Sequence, residues 1–212
     1  MIEIVVAYDE RDKKLGDYFE SCKNDLIATI EQLGGIKNTI SEIPAKKCNR
    51  AYIDIALKHL KEISFLIIAY MHGTESQLIA NNGAFVQVGD DNSFFKYSLF
   101  YTNSCLCGKL LGPDLITHQC HTFIGFDEEI SALLGDNKDI SIKCDNFGIT
   151  AFLTQDITVF EAYDQMRTNY SQEITKMLSL GDILSAGVLV NAREALVFLG
   201  NKDLKKEGLF NE

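Results

Sequence analysis

Apolar positions in this chain fall into short continuous runs separated by polar turns, with helical periodicity between them. Residues 2–8 (Ile2 to Tyr8) read as a buried strand. The polar turn Asp9-Glu10-Arg11-Asp12 then caps a helix over about 13–33, where Leu15, Phe19, Leu26, Ile30 and Leu33 recur at helical spacing and Gly34-Gly35 is the stop. A short strand is predicted over 36–43, and a second helix over 49–62, with Ile53, Ala56, Leu57 and Leu60 on one face. Residues 64–71 form the next strand. A hairpin follows, with 85–88 and 94–97 flanking the turn residues Gly89 to Ser93. Further strands are predicted at 98–104 and 121–126, around a helix at 112–119 that Pro113 can open. Residues 136–150 read as a polar loop or weak hairpin, and 155–180 as a helix. Val188 to Val190 and Ala195 to Leu199 predict a closing hairpin, and the tail over about 204–212 is expected to fray.

This alternation of strands and helices predicts an α/β fold, a three-layer sandwich around a mostly parallel central sheet, in a single domain over 1–212. Composition narrows the possible partners. With 30 acidic against 20 basic residues the net charge is −10, and no basic stripe is present. The balance argues against a nucleic-acid or anionic-membrane partner. No signal-peptide pattern opens the sequence and no apolar stretch approaches the ~20 residues of a membrane span. A cytoplasmic protein is the expectation. Its six cysteines, Cys22, Cys48, Cys105, Cys107, Cys120 and Cys144, are then expected as free thiols.

The candidate chemistry sits just past two of the apolar runs. Residues 65–71 lead into His72-Gly73, and residues 98–104 lead into Cys105-Leu106-Cys107-Gly108. In open α/β sheets the functional crevice lies at the carboxyl ends of the strands. Adjacent strands would therefore bring an imidazole and a thiol to one rim, the pairing that a cysteine nucleophile and its base require. Gly73 permits close backbone approach, and N–H groups in the turn after Cys105 can stabilise a thiolate or oxyanion. Asp127 and Glu128 follow the next strand and reach the same rim, where they could line a pocket for a cationic side chain. Two rivals compete. Cys105, Cys107, His118, Cys120 and His121 supply enough soft ligands for zinc, although their spacing matches no common finger. Asp9, Glu10 and Lys143 imitate the acids and lysine of a receiver-like protein. Phosphate-binding glycine motifs are absent from the sequence, which disfavours a nucleotide cofactor.

Three segments resemble the caspase-fold clan of cysteine peptidases, and within it the CHAT branch related to separases. Residues 66–73 are similar to that clan's apolar strand ending in His-Gly. Asn103-Ser104-Cys105-Leu106-Cys107-Gly108 resembles its Ser-Ala-Cys-x-Thr-Gly pattern, and residues 115–127 resemble the helix and strand after the cysteine. Asn103 and Cys107 depart from the commoner residues. The resemblance implies a caspase-like fold and an endopeptidase in which Cys105 is the nucleophile and His72 its base. The Gly73 and Cys105 backbone N–H groups would form the oxyanion hole, and Asp127 with Glu128 would select the substrate. It implies no metal and no cofactor, a protein or peptide substrate, an activating or regulatory protein partner, and a role in bacterial defence or controlled proteolysis. The alternative is a catalytically silent caspase-like module that binds a partner.

Overall fold

The computed structural model describes residues 1–32, 38–60, 62–81 and 83–209. Its strands are β1 (Ile2–Tyr8), β2 (Asn38–Pro44), β3 (Phe65–Tyr70), β4 (His72–Gly73), β5 (Gln77–Ala80), β6 (Gly83–Gln87), β7 (Ser98–Thr102), β8 (Thr122–Phe126) and β9 (Leu196–Gly200). Its α-helices are α1 (Gly16–Gln32), α2 (Arg50–Ala56), α3 (Leu111–Thr117), α4 (Lys138–Thr154), α5 (Val159–Ser179) and α6 (Ile183–Ala195). Six strands form a central sheet in the order β2-β1-β3-β7-β8-β9, parallel throughout except for β9, which runs antiparallel to β8.

Alternation along each strand divides the core between the two faces of this sheet. Ile4, Val6, Leu66, Ile68, Leu99, Tyr101 and Ile124 pack beneath α1, α4, α5 and α6. Val5, Ala7, Ile67, Ala69, Phe100 and Phe123 pack beneath α2, α3 and the small antiparallel sheet β4-β5-β6. Strands apolar on both faces are what a parallel sheet covered by two layers demands. The three-layer α/β sandwich expected from the sequence is therefore observed.

Four local expectations are corrected. The hairpin is β5 with β6, and residues 92–95 instead form a short helical turn, because the Asp91 side chain caps it by accepting from the Ser93 N–H. Residues 138–154 form helix α4 rather than a loop: Ser141, Asp145 and Asn146 are buried among its apolar residues, so the apolar signal over its first half is weak. Gly148 lets this helix approach α5, since a Cβ there would stand 3.1 Å from Met166 Sδ. Residues 188–190 belong to α6, whose N-terminus is capped by Asp182 accepting from the Ser185 N–H; only the second half of the expected hairpin is a strand. The second helix ends at Ala56, followed by a separate turn at 58–60.

The tail is docked at least to residue 209. Leu204 and Leu209 are buried, and the Val159 N–H donates to the Leu204 carbonyl at 2.8 Å. Leu209→Ala should accordingly cost about 2 kcal/mol, at the low end for a buried leucine because a chain end relaxes easily. Urea denaturation measures it. The expected Gly34-Gly35 stop, the start of the second strand at 36–37, Lys61 in the second helix and the last residues 210–212 lie outside the described residues. Among those described, no helix is long and apolar enough to cross a membrane.

Candidate active site

Strands β3 and β7 are parallel neighbours, so their carboxyl ends open onto one rim. The two exits are stitched together. Thr102 Oγ1 donates to the Ala69 carbonyl at 2.8 Å, the Asn103 N–H to the same carbonyl at 3.3 Å, and Ser104 Oγ to the Met71 carbonyl at 2.7 Å. Buried hydroxyls here bond across from one strand exit to the carbonyls of the other. They also fix the backbone that carries His72 against the backbone that carries Cys105.

Gly73 completes this contact. A methyl group built on it would fall 2.5 Å from Cys107 Sγ, 2.7 Å from the Cys105 carbonyl oxygen and 2.8 Å from Ser104 Cβ. Only a residue without a side chain lets the two segments lie this close. Its Cα thereby lies directly against the Cys105 carbonyl.

His72 and Cys105 line one small cavity of about 40 Å³, shared with Phe19, Asn103, Ile130 and Asp145. His72 is partly exposed. Its Nε2 lies 3.2 Å from Asp12 Oδ2, and the Phe19 ring meets the imidazole edge-on with centroids 5.5 Å apart. Cys105 is half-buried, with its Sγ 3.4 Å from the Ile130 nitrogen and 3.5 Å from the Ile130 carbonyl oxygen. The other five cysteines are buried. Burial pushes the thiols of Cys48 and Cys107 up to about 12 and that of Cys120 up to about 11. Cys107 faces inward toward the Thr74 carbonyl at 3.4 Å, so it packs against the His72 segment rather than into the cavity.

Asp127 and Glu128 stand beside this rim and do not line the cavity. The Asp127 N–H donates to the Ala195 carbonyl at 2.9 Å. The exposed Glu128 carboxylate faces Lys109 at 3.6 Å, and Lys109 also reaches Glu75 at 3.6 Å. That cation draws together the loops after β4, β7 and β8.

The zinc and receiver constellations do not converge. Cys120 Sγ contacts the carbonyl oxygens of Ser98 and Thr122, His118 turns to Asp114 on its own helix, and the His121 ring lies against Tyr97. Among the described residues no group of three or more metal-ligating side chains forms. Asp9 accepts from the Arg11 and Asn81 N–H groups, and Glu10 from the Ala45 N–H, while Lys143 borders a separate groove along α4.

Asp145 is the largest omission from the sequence reading. This carboxylate from α4 is buried behind Cys105 and takes hydrogen bonds from Tyr18 Oη at 2.8 Å, Tyr170 Oη at 2.6 Å and Asn103 Nδ2 at 3.1 Å. The Tyr101 hydroxyl donates to its main-chain carbonyl. Burial raises the Asp145 carboxyl above its ordinary range, against the pull of Tyr170, Tyr18 and Asn103. Asn103 Oδ1, buried in the cavity wall, has no partner among the described residues. The residues around Asp12 in the chain make it a helix cap, and nothing in the sequence places it on His72. The available signal for Asp145 was indirect: Tyr18, Tyr101 and Tyr170 recur in apolar settings, and buried tyrosine hydroxyls need partners.

The fold and rim together define an α/β protein with a thiol and an imidazole on one crevice. No family model matches the chain, and no curated protein matches it. Among solved structures it is similar to a secreted C11 cysteine protease from Bacteroides thetaiotaomicron in complex with an irreversible peptide inhibitor. Identity is 13%, and the TM-score is 0.46 over 70% of this chain and 58% of that one. This chain thus matches less than two thirds of that protease's length.

Proposed function

We propose that this protein is a cysteine endopeptidase of caspase-like fold, with Cys105 as nucleophile and His72 as general base. One observation carries the reading: the single half-buried thiol lines the same cavity as a partly exposed histidine, at the carboxyl ends of adjacent parallel strands. In this reading His72 takes the Cys105 proton as the sulfur bonds to the scissile carbonyl carbon, then passes that proton to the departing amine. Water, deprotonated by His72, hydrolyses the thioester and regenerates the thiol. The N–H groups of Gly73 and Cys105 would hold the oxyanion. Asp127 and Glu128 would act as charges at the rim, with Glu128 in competition for Lys109.

The Ile130 peptide against Cys105 Sγ favours a second reading, the silent binding module, or else a resting state that an activating partner must open. Alkylation by iodoacetamide across pH 5–9, followed by mass spectrometry of each cysteine, separates a poised nucleophile from both. A free cysteine titrates near ~8.5, and pairing with an imidazolium lowers that by several units. Cys105 is expected to react at about pH 6 at least tenfold faster than in His72→Ala, and cleavage of a peptide library is expected to vanish in Cys105→Ala. A Cys105 profile like that of a free thiol, unchanged in His72→Ala, would overturn the peptidase reading for the protein alone.

A further inference from the structure

We infer that Asp12 is a positioning residue that selects the tautomer of His72, making Nδ1 the nitrogen that receives the Cys105 proton. The inference rests on the peptidase reading for its purpose, but not for its geometry. Asp12 is held rigidly: its Oδ1 accepts the N–H groups of Lys14 at 2.8 Å and Leu15 at 2.7 Å, which closes the turn ahead of α1. This leaves Oδ2, which stands 3.2 Å from His72 Nε2. A carboxylate can only accept, so at this ion-pair distance a proton on Nε2 is favoured over a lone pair facing Oδ2. His72 Nδ1 has no hydrogen bond among the described residues, and in the neutral ring it is then the atom with the free electron pair.

The imidazole is fixed from three directions. Asp12 holds Nε2, the Phe19 edge packs on the ring, and the tight fit of Gly73 sets the backbone. The other charged groups close by are otherwise engaged: Asp9 caps backbone N–H groups, and Glu75 on the neighbouring loop faces Lys109. When the thiol proton moves to Nδ1, the ring becomes an imidazolium beside an ionised carboxylate, and Asp12 itself takes up no proton. Its carboxyl is held below the ordinary range: burial opposes this, but the Leu15 and Lys14 N–H groups and His72 outweigh it. It therefore stays ionised wherever the thiol would be used.

Asp12→Asn makes the test sharp. An amide oxygen in place of Oδ1 keeps both backbone bonds, so the turn survives and an NH₂ group now faces His72 Nε2. That donor requires an unprotonated Nε2 and moves the proton to Nδ1. Nitrogen-15 NMR of labelled imidazole at about pH 8, above the usual histidine range, reads the tautomer directly in a Cys105→Ala background, where no thiolate can hold the ring charged. The Nε2–H form is expected in the parent protein, the Nδ1–H form in Asp12→Asn, and a mixture in Asp12→Ala. Cys105 alkylation at about pH 6 should fall about tenfold or more in Asp12→Asn, equivalent to a unit of lost ion pairing. An Nδ1–H ring in the parent, or a tautomer unchanged in Asp12→Asn, would overturn the inference. The two proposals fail separately: the tautomer can shift although Cys105 proves inert, and Cys105 can depend on His72 although Asp12 has no effect.

Discussion

Asp145→Ala should lower the stability of the fold by about 3–5 kcal/mol, since it strands three buried donors at the lower part of about 1–3 kcal/mol each. Three donors converge on this side chain, from α1, α5 and the turn before Cys105. Its loss leaves the Tyr18 and Tyr170 hydroxyls and the Asn103 amide without partners, each desolvated and unpaid by any new bond. Against a typical net stability of about 5–15 kcal/mol, that is a large fraction of the total. The damage should also reach the candidate site, since Asn103 lies two residues before Cys105. The pH dependence has a definite sign. Because the folded state raises the Asp145 carboxyl, it retains a proton that the unfolded chain has already released. The contribution is therefore complete below the unfolded carboxylate value of about 3.9 and is lost as pH rises through the higher folded value. Urea midpoints measured from about pH 4 to pH 8 should show this loss in the parent protein, and it should be absent in Asp145→Asn, which cannot ionise. A midpoint unchanged by Asp145→Ala would mean that water satisfies all three donors.

The same residue shows where sequence reading stops. Strands β1, β3, β7 and β8 were legible because parallel strands covered on both faces are continuous apolar runs, and their order with the intervening helices implied the sandwich. His72 and Cys105 were legible as candidates because each follows such a run. Helix α4 is not, because its first half interleaves buried Ser141, Asp145 and Asn146 with Ile142 and Cys144, which breaks the apolar period. A pattern of hydrophobicity cannot report a core held by hydrogen bonds. Asn146, for instance, takes the Tyr70 hydroxyl and donates to the Cys22 carbonyl and to Asp25, contacts across 76, 124 and 121 residues of sequence. Helix α6 is obscured for a different reason. Ile183, Leu184 and Val190 are exposed while Ala186, Leu189 and Ala192 face the core, so large apolar residues fall on both sides and blur the helical period. Asp12 belongs with these cases: its neighbours along the chain predict a cap, and its second oxygen acts on a residue 60 positions away only because β1 and β3 are adjacent.

Gly73→Ala should cost the candidate site far more than it costs the fold. The added methyl meets a side-chain sulfur, a backbone carbonyl and a serine Cβ, all within 2.8 Å. Neither the Cys105 carbonyl nor Ser104 can swing aside, since Ser104 is tied to the Met71 carbonyl and the Cys105 turn is held by the Leu106 and Gly108 N–H groups to the carbonyls of Glu128 and Phe126. The strain must be relieved by moving the short strand β4, and His72 moves with it. Overpacking of this kind costs about 1–3 kcal/mol, which the fold should survive. A displacement of about 1 Å between base and nucleophile, by contrast, can lower a rate by about 100-fold. The expected result is a folded protein, by its urea midpoint, whose Cys105 has lost its His72-dependent reactivity near neutral pH. Adding Cys107→Ala to Gly73→Ala tests the cause. It removes the sulfur contact but leaves the carbonyl in place, so reactivity should return only in small part. Full recovery would show that the buried thiol of Cys107 alone sets the fit, and that the carbonyl of Cys105 yields more readily than its hydrogen-bonded turn implies.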